Sequence, residues 1–200
     1  MRILCTSDYH EDLKIADAVI DIIKKKEIDL FIGAGDFHTE TFTAKFLKRI
    51  KIRGFVVSGN WDYITFTNEY ISAIDWGVEK FGGYHFFCVG NHFPLDFAKV
   101  GCNLTKDIDP KKLIFITHYP PYGVLDRLWN GKSIGYHEFF EFIKLKKPVL
   151  HIFGHIHEDS GVKNVGNTTC INCAVASSRK AYIVTLPERK VEEVDLREFM

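Results

Sequence analysis

Seven side chains of the kinds that bind divalent metals stand where five short apolar runs end. Ile3-Leu4-Cys5-Thr6 leads into Asp8 and His10, and Leu30-Phe31-Ile32 leads into Gly35-Asp36. Phe55-Val56-Val57 leads into Gly59-Asn60, and the run from Leu113 to Thr117 leads into His118. The last, from Val149 to Phe153, leads into Gly154-His155 and then His157. Carboxylates and imidazoles gathered at one place form a site for hard or borderline divalent cations. Cations so held activate water and stabilise negative charge on oxygen. Taken singly, each position has an ordinary structural reading. Asp8 could cap a helix, Gly59-Asn60 could be a turn, and His118 before Pro120-Pro121 could be a loop histidine. Five such endings in series point to one shared site.

The runs themselves are short and rich in β-branched and aromatic residues, as expected of strands buried on both faces. In layered α/β folds, ligands bind beyond the carboxyl ends of such strands. Between the runs, residues 12–26 form a helix pattern: Leu13, Ala16, Ile20 and Ile23 make an apolar stripe, broadened by Val19 and Ile22. Lys24-Lys25-Lys26 suits the negative end of its dipole. Residues 41–50 carry a second helix pattern through Phe42, Phe46, Leu47 and Ile50. Alternation of strand and helix predicts parallel crossovers. A strand is expected over 81–90, entered through Gly82-Gly83, and a helix over 136–146. Strands are expected at 168–175, 181–186 and 191–196. Residues 62–80 and 91–110 read as loops over the sheet edge.

At 200 residues, the length suits one domain, expected to span residues 1–200. The chain is 46% hydrophobic, and 17 phenylalanines are available for its core. With 26 basic and 26 acidic residues the net charge is zero, which argues against a general grip on nucleic acid or an anionic membrane. No stretch is long enough to span a bilayer. The N-terminal apolar run stops at Asp8 and does not read as a signal peptide, so the expected compartment is cytoplasmic. The five cysteines are scattered. Cys170 and Cys173 have CxxC spacing but no second pair, and read as small apolar residues of a late strand.

Asp8-Tyr9-His10, Gly35-Asp36, Gly59-Asn60, Thr117-His118 and Gly154-His155-Ile156-His157 occur in the order and approximate spacing of the calcineurin-like metallophosphoesterases. The chain resembles their small single-domain prokaryotic branch from residue 3 to about residue 175. The resemblance implies a four-layer α/β/β/α sandwich with two mixed β-sheets and a dinuclear metal centre at one edge. It implies that Asp8, His10 and His157 hold one metal, that Asn60, His118 and His155 hold the other, and that Asp36 bridges them. Mn is the expected metal, with Ni, Co, Fe and Zn as alternatives. The implied partner is a small phosphoester substrate rather than nucleic acid, with a nucleotide-like one an option that stacking on Trp61 would favour; the oligomeric state is open. On an extended segment His155 and His157 would point the same way and Ile156 into the core. The same alternation would pair Asp8 with His10.

The family pattern continues Gly-Asn-His, whereas this chain reads Gly59-Asn60-Trp61-Asp62. The family's histidine touches the scissile phosphate and assists the leaving oxygen. Tryptophan has one N–H donor and no titratable proton. Metal binding is untouched by this change, but the leaving-group step needs another donor. His38, two residues after Asp36, is the candidate, so the catalytic set expected is Asp36, Asn60, His118 and His38. His92 in Gly90-Asn91-His92 mimics the motif but lies outside the crossover pattern. His85 and His151 read as core histidines and His137 as a surface one. The resulting expectation is hydrolysis of a phosphodiester or phosphomonoester by water attack, the diester favoured. Two other classes share the fold: a non-catalytic scaffold resembling a retromer subunit, and a nuclease. The intact ligand set argues against the first, and the short neutral chain against the second.

Overall fold

A computed structural model describes residues 1–200. Strand β1 (Arg2–Thr6) is followed by α1 (Leu13–Lys25), β2 (Leu30–Gly33), α2 (Glu40–Leu47), β3 (Arg53–Val56) and β4 (Ile71–Ala73). Then come β5 (Trp76–Phe81), β6 (Tyr84–Val89), α3 (Phe97–Leu104), β7 (Leu113–Thr117), α4 (His137–Lys146) and β8 (Leu150–Phe153). The chain closes with β9 (Gly161–Val165), β10 (Thr168–Asn172), β11 (Lys180–Thr185) and β12 (Lys190–Asp195). Two six-stranded sheets result, in the orders β12-β11-β1-β2-β3-β4 and β5-β6-β7-β8-β10-β9. In each, four adjoining strands run parallel and the others antiparallel.

Side-chain alternation sorts the apolar residues into three layers. Ile3 and Cys5 of β1, Leu30 and Ile32 of β2, and Ile114 and Ile116 of β7 fill the space between the sheets. Their neighbours Leu4 and Phe31 face α1 and α2, while Leu113 and Phe115 face α3 and α4. Strands so placed have no polar face, which is why they read as continuous apolar runs. Asp12 caps α1 by accepting from the N–H groups of Lys14 and Ile15, and Thr39 caps α2. The four-layer arrangement of two mixed sheets flanked by helices is the one expected.

Four elements depart from the expected pattern. Residues 62–80 contain β4 and β5, and residues 91–110 contain α3. β4 is three residues long, too short to show a period. β5 is an edge strand with no fully buried residue, so it lacks an apolar run. α3 carries Gly101 in its interior, a poor helix former. A Cβ there would lie 3.2 Å from both Phe87 and Phe142. Packing, rather than propensity, holds α3 on the sheet. β9, also unexpected, is a mostly exposed edge strand. Gly82-Gly83 is the hairpin turn between β5 and β6. Cys170 and Cys173 fall in different apolar layers, Cys170 facing the helices and Cys173 between the sheets.

Phe115 lies inside the outer aromatic layer, its ring centre 4.7 Å from Phe142 and 4.3 Å from His151. Phe115→Ala should cost about 3–5 kcal/mol. Chemical denaturation should show this as a lowered midpoint at unchanged slope; a loss below about 1 kcal/mol would mean that the layer collapses to fill the space.

Candidate metal centre

All five doubly buried strands end at the same edge, and the chain leaves three of them, β1, β2 and β8, through left-handed backbone. Asp8, His10, Glu11, Asp36, His38 and His155 all have positive φ, six of the eleven non-glycine residues in the chain that do. Such conformations cost of order 1 kcal/mol or more each and persist only where the surroundings enforce them. Here backbone hydrogen bonds do so. Asp8 N donates to Gly35 O at 2.9 Å, and Tyr9 N and His10 N both donate to Asp36 O. The turn after β1 is thus tied to the turn after β2. Gly35 itself has φ +90°, and a Cβ there would lie 2.7 Å from His118 Nδ1.

Two groups of donor atoms converge at this edge. Asp8, His10 and His157 form one; Asp36, His118 and His155 form the other, with the ligand-type atoms of each group within 4.8 Å of one another. Asn60 joins the second, its Oδ1 lying 2.9 Å from His118 Nε2. In the first, His10 Nε2 and His157 Nε2 are 3.1 Å apart, and His157 Nε2 is 3.1 Å from Asp8 Oδ1. All seven residues singled out in the sequence are therefore brought to one site, with Asp36 on the side of His118 and His155. The expected extended alternation is not how this happens. His155 is left-handed at φ 73° and His157 opens a short 3-10 turn, so the two enter different groups. Asp8 and His10 are likewise turned by left-handed backbone. Ile156 and Tyr9 are nonetheless buried in the core.

The surrounding polar groups aim the donors. Asp8 Oδ2 accepts from Ser7 Oγ at 2.6 Å and from His155 N at 2.9 Å, which leaves Oδ1 for His157. His118 Nδ1 donates to Ala34 O at 2.8 Å, so in the neutral ring Nε2 carries the lone pair that faces the site. That lone pair meets Asn60 Oδ1 and, at 3.4 Å, Asp36 Oδ2. Three acceptors thus point at one another, and a cation between them resolves the conflict. Imidazole, carboxylate and amide oxygen are also the donors that borderline divalent metals take. The residues present fit such ions.

The same crowding sets the titration of the side chains, with protons standing where cations would otherwise sit. Burial opposes ionisation of Asp8, yet the His157 hydrogen bond and the His118 charge outweigh it and hold the carboxyl down to about 2. Burial also opposes charge on His118, but Asp36 and Asp8 push it up to about 9. Burial and the His118 charge push His155 down to about 4. The Asp8 hydrogen bond raises His157, and burial lowers His10.

His38 stands at the rim, its ring 6.3 Å from His10 and 5.8 Å from Trp61. Its Nδ1 lies 3.5 Å from Glu11 Oε2. Trp61 is 62% exposed, and beside it a cavity of about 190 Å3 is lined by His38, Trp61 and Tyr63. His92 is exposed and makes no hydrogen bond to the cluster. His151 is buried, its Nε2 2.9 Å from Thr117 Oγ1. His85 is half-buried, and His137 is exposed and stacked on Tyr122 at 3.9 Å.

Several supporting residues carried no signal strong enough to pick out from the sequence. Asp62 accepts from Gly59 N and Phe37 N, both at 2.6 Å, stapling the turn after β3 to the turn after β2. Its place at the end of the Gly59-Asn60-Trp61-Asp62 motif was the available clue. Asp75 fixes Ser58 through the backbone N–H and the hydroxyl, both at 2.7 Å. Tyr119 packs its ring 4.7 Å from His155 and donates to Asn91 Oδ1.

Residues 1–182 match the sequence profile of the calcineurin-like phosphoesterase superfamily domain. The chain belongs to that superfamily. A UPF0046 protein of Caenorhabditis elegans is 33% identical over 111 residues, 56% of this chain and 38% of that protein. The human protein called metallophosphoesterase domain-containing protein 1 is 43% identical over 68 residues, 32% of this chain and 20% of that protein. The matches thus span less than two fifths of either relative's length. Among solved structures, protein TT1561 of Thermus thermophilus aligns with a TM-score of 0.72 at 18% identity, covering 98% of this chain and 99% of its own. A protein described as a novel archaeal phosphodiesterase aligns at 0.63 and 18%, covering 97% and 99%. At these identities the structural likeness concerns the fold. No helix is long and apolar enough to cross a membrane.

Asp62→Asn tests the staple. It places an amide N–H₂ against backbone donors and should destabilise by about 1–3 kcal/mol. Urea unfolding should reveal it; unchanged stability would mean that water replaces the lost acceptor.

Proposed function

We propose that this chain is a hydrolase of small phosphoesters, working through two divalent transition metals and favouring diesters. The observation that carries the reading is the pair of donor groups, Asp8-His10-His157 and Asp36-His118-His155, converging with Asn60 at one sheet edge. In the proposed assignment the first group holds one cation, and His118, His155 and Asn60 hold the other. Asp36, grouped with His118 and His155, would supply the anionic charge shared by the two cations. Mn is the expected metal. The cations would supply charge neutralisation for phosphate and a water whose pKa is lowered from about 15.7 to about 7.

The protein's own part is to orient and to exclude. Ser7 and His155 N keep the Asp8 carboxylate turned inward, and Ala34 O keeps the His118 tautomer. Trp61 N donates to Asp36 Oδ1 at 3.0 Å, so the motif that lost its histidine still anchors the bridge. The leaving group would occupy the rim cavity between His38 and Trp61. His38 is the candidate donor to a departing oxygen there, but its Nδ1 faces Glu11 Oε2 and its ring bonds to none of the metal-type donors, so it does not replace a histidine at position 61. The exposed indole offers a face for an aryl or nucleobase group, worth about 1 kcal/mol when stacked.

Metal analysis after stripping and reloading with Mn, Ni, Co, Zn or Mg separately should find two ions per chain. Asp36→Asn should lower hydrolysis of a nitrophenyl diester by at least about 100-fold with the fold intact, because ligand environments of this kind lose about 10–100-fold even when only an outer partner is removed. One ion per chain, or near-normal turnover in that variant, would sink the dinuclear assignment.

Without a histidine at position 61, the rate should depend steeply on leaving-group stability. Aryl diesters should be cleaved far better than alkyl monoesters. General-acid help is typically worth about 10²–10⁴-fold, so Trp61→His should raise activity on poor leaving groups. A flat leaving-group dependence in the wild type would mean that a proton is already supplied, and His38→Ala would then be expected to steepen it.

A further inference from the structure

The strands of both sheets also share an entry edge, at the pole opposite the histidines. A cavity of about 720 Å3 opens there beside the starts of β7 and β8 and the turn from β11 to β12. Lys111, Lys112, Lys147 and Arg189 line it, and Asp109 is the one carboxylate of the lining. None of the four cations takes part in an ion pair. Asp109 commits one oxygen to the Lys111 backbone N–H, at 2.9 Å. In a chain of 26 basic and 26 acidic residues, this is a local excess of unneutralised charge. Like charges around a concave, low-dielectric wall focus a positive potential, and an anion entering it relieves their repulsion.

All four cations are exposed, and two of them touch neighbouring groups. The Lys112 ammonium sits 4.3 Å from the centre of the Tyr84 ring, and Arg189 Nη1 donates to Asn167 O at 2.9 Å. Lys147 and Arg189 have φ of 50° and 58°, two of the five left-handed non-glycine residues outside the histidine site. Lys147 closes α4 at a position where glycine is the ordinary choice. Tyr84, Val149 and Pro187 add an apolar wall. The volume lies in the range of small-ligand sites, about 300–1,000 Å3.

We propose that this cavity binds a small ligand carrying several adjacent phosphates, of nucleotide size. It is a site separate from the histidine centre. The run from Lys112 to His118 along β7 puts roughly 20 Å between the two. A concave pocket in a chain of zero net charge favours a compact polyanion over nucleic acid, which is gripped along an extended basic surface.

The test is calorimetric titration of metal-stripped protein with inorganic tripolyphosphate and, separately, with ATP. One site per chain is expected, with the same affinity in Asp36→Asn, which alters only the distant centre. The double variant Lys147→Gln/Arg189→Gln should weaken binding at least about tenfold, since charge-assisted hydrogen bonds to phosphate are among the strong ones. Lys45→Gln, a single charge change on α2, should leave it unchanged. Circular dichroism checks folding, and Lys111→Gln/Lys112→Gln serves if the first double variant does not fold. Absence of binding, or undiminished binding in the double variants, overturns the proposal. So does a single-stranded oligonucleotide that binds more tightly than either probe and is lost in the same variants, because the surface would then be one for nucleic acid. Failure here leaves the metal stoichiometry at the other pole untouched.

Discussion

An ionised carboxylate buried without exposure must be paired or hydrogen-bonded, or the fold cannot keep it. Asp8 is such a group, and the site is arranged around satisfying it. One oxygen takes Ser7 Oγ and His155 N; the other meets His157. These partners come from β1 and from the segment after β8, which belong to different sheets. Ser7 also lies in a parallel bridge with Ala174, and its N–H donates to Cys173 O at 3.1 Å. The carboxylate therefore ties together the two sheets at the edge where the donors gather. Gly154 shows how tight this junction is: a Cβ there would overlap both Ser7 Oγ and Asp8 Oδ2.

The rigidity of that junction comes from the layers beneath it. Strands buried on both faces cannot slip in register without exposing apolar residues, so their ends are fixed relative to one another. Left-handed turns then convert fixed strand ends into fixed side-chain directions. Helices α1 and α2 brace one sheet through Tyr9, Phe37 and Phe46, with Tyr9 and Phe37 stacked at 4.9 Å. Tyr9 lies between Asp8 and His10, so the residue separating two donors is itself a core anchor. α3 and α4 brace the other sheet through the phenylalanines around Phe115.

Charge is divided between the poles. The carboxyl ends of the parallel strands collect Asp8, Asp36 and the imidazoles; the entry ends collect unpaired lysines and an arginine. A protein of zero net charge can thus present two strong local fields of opposite demand, one for cations and one for anions. The superfamily membership concerns the first pole. The second arises from loops and a hairpin turn that the metal-type motifs do not include.

Residue types and strand endings were legible from the sequence because both follow from local chemistry. Doubly buried strands must be apolar throughout, and a donor at the end of each is conspicuous. α1, α2 and α4 announced themselves by period and by cap or charge. The donor positions and the strand-helix alternation could be read this way, whereas the four-layer sandwich and the missing histidine at Trp61 came from the resemblance to the calcineurin-like metallophosphoesterases. What tertiary structure alone decided was the way the backbone delivers the donors to two groups, because it depends on left-handed turns at Asp8, His10, Asp36 and His155, where glycine was not there to mark them. β4, β5, β9 and α3 were hidden for a related reason: edge strands and a glycine-bearing helix owe their form to neighbours rather than to their own pattern. The basic cavity was hidden too, since Lys111, Lys147 and Arg189 are far apart in the chain. Only the pairing of strands from both halves brings their charges around one space.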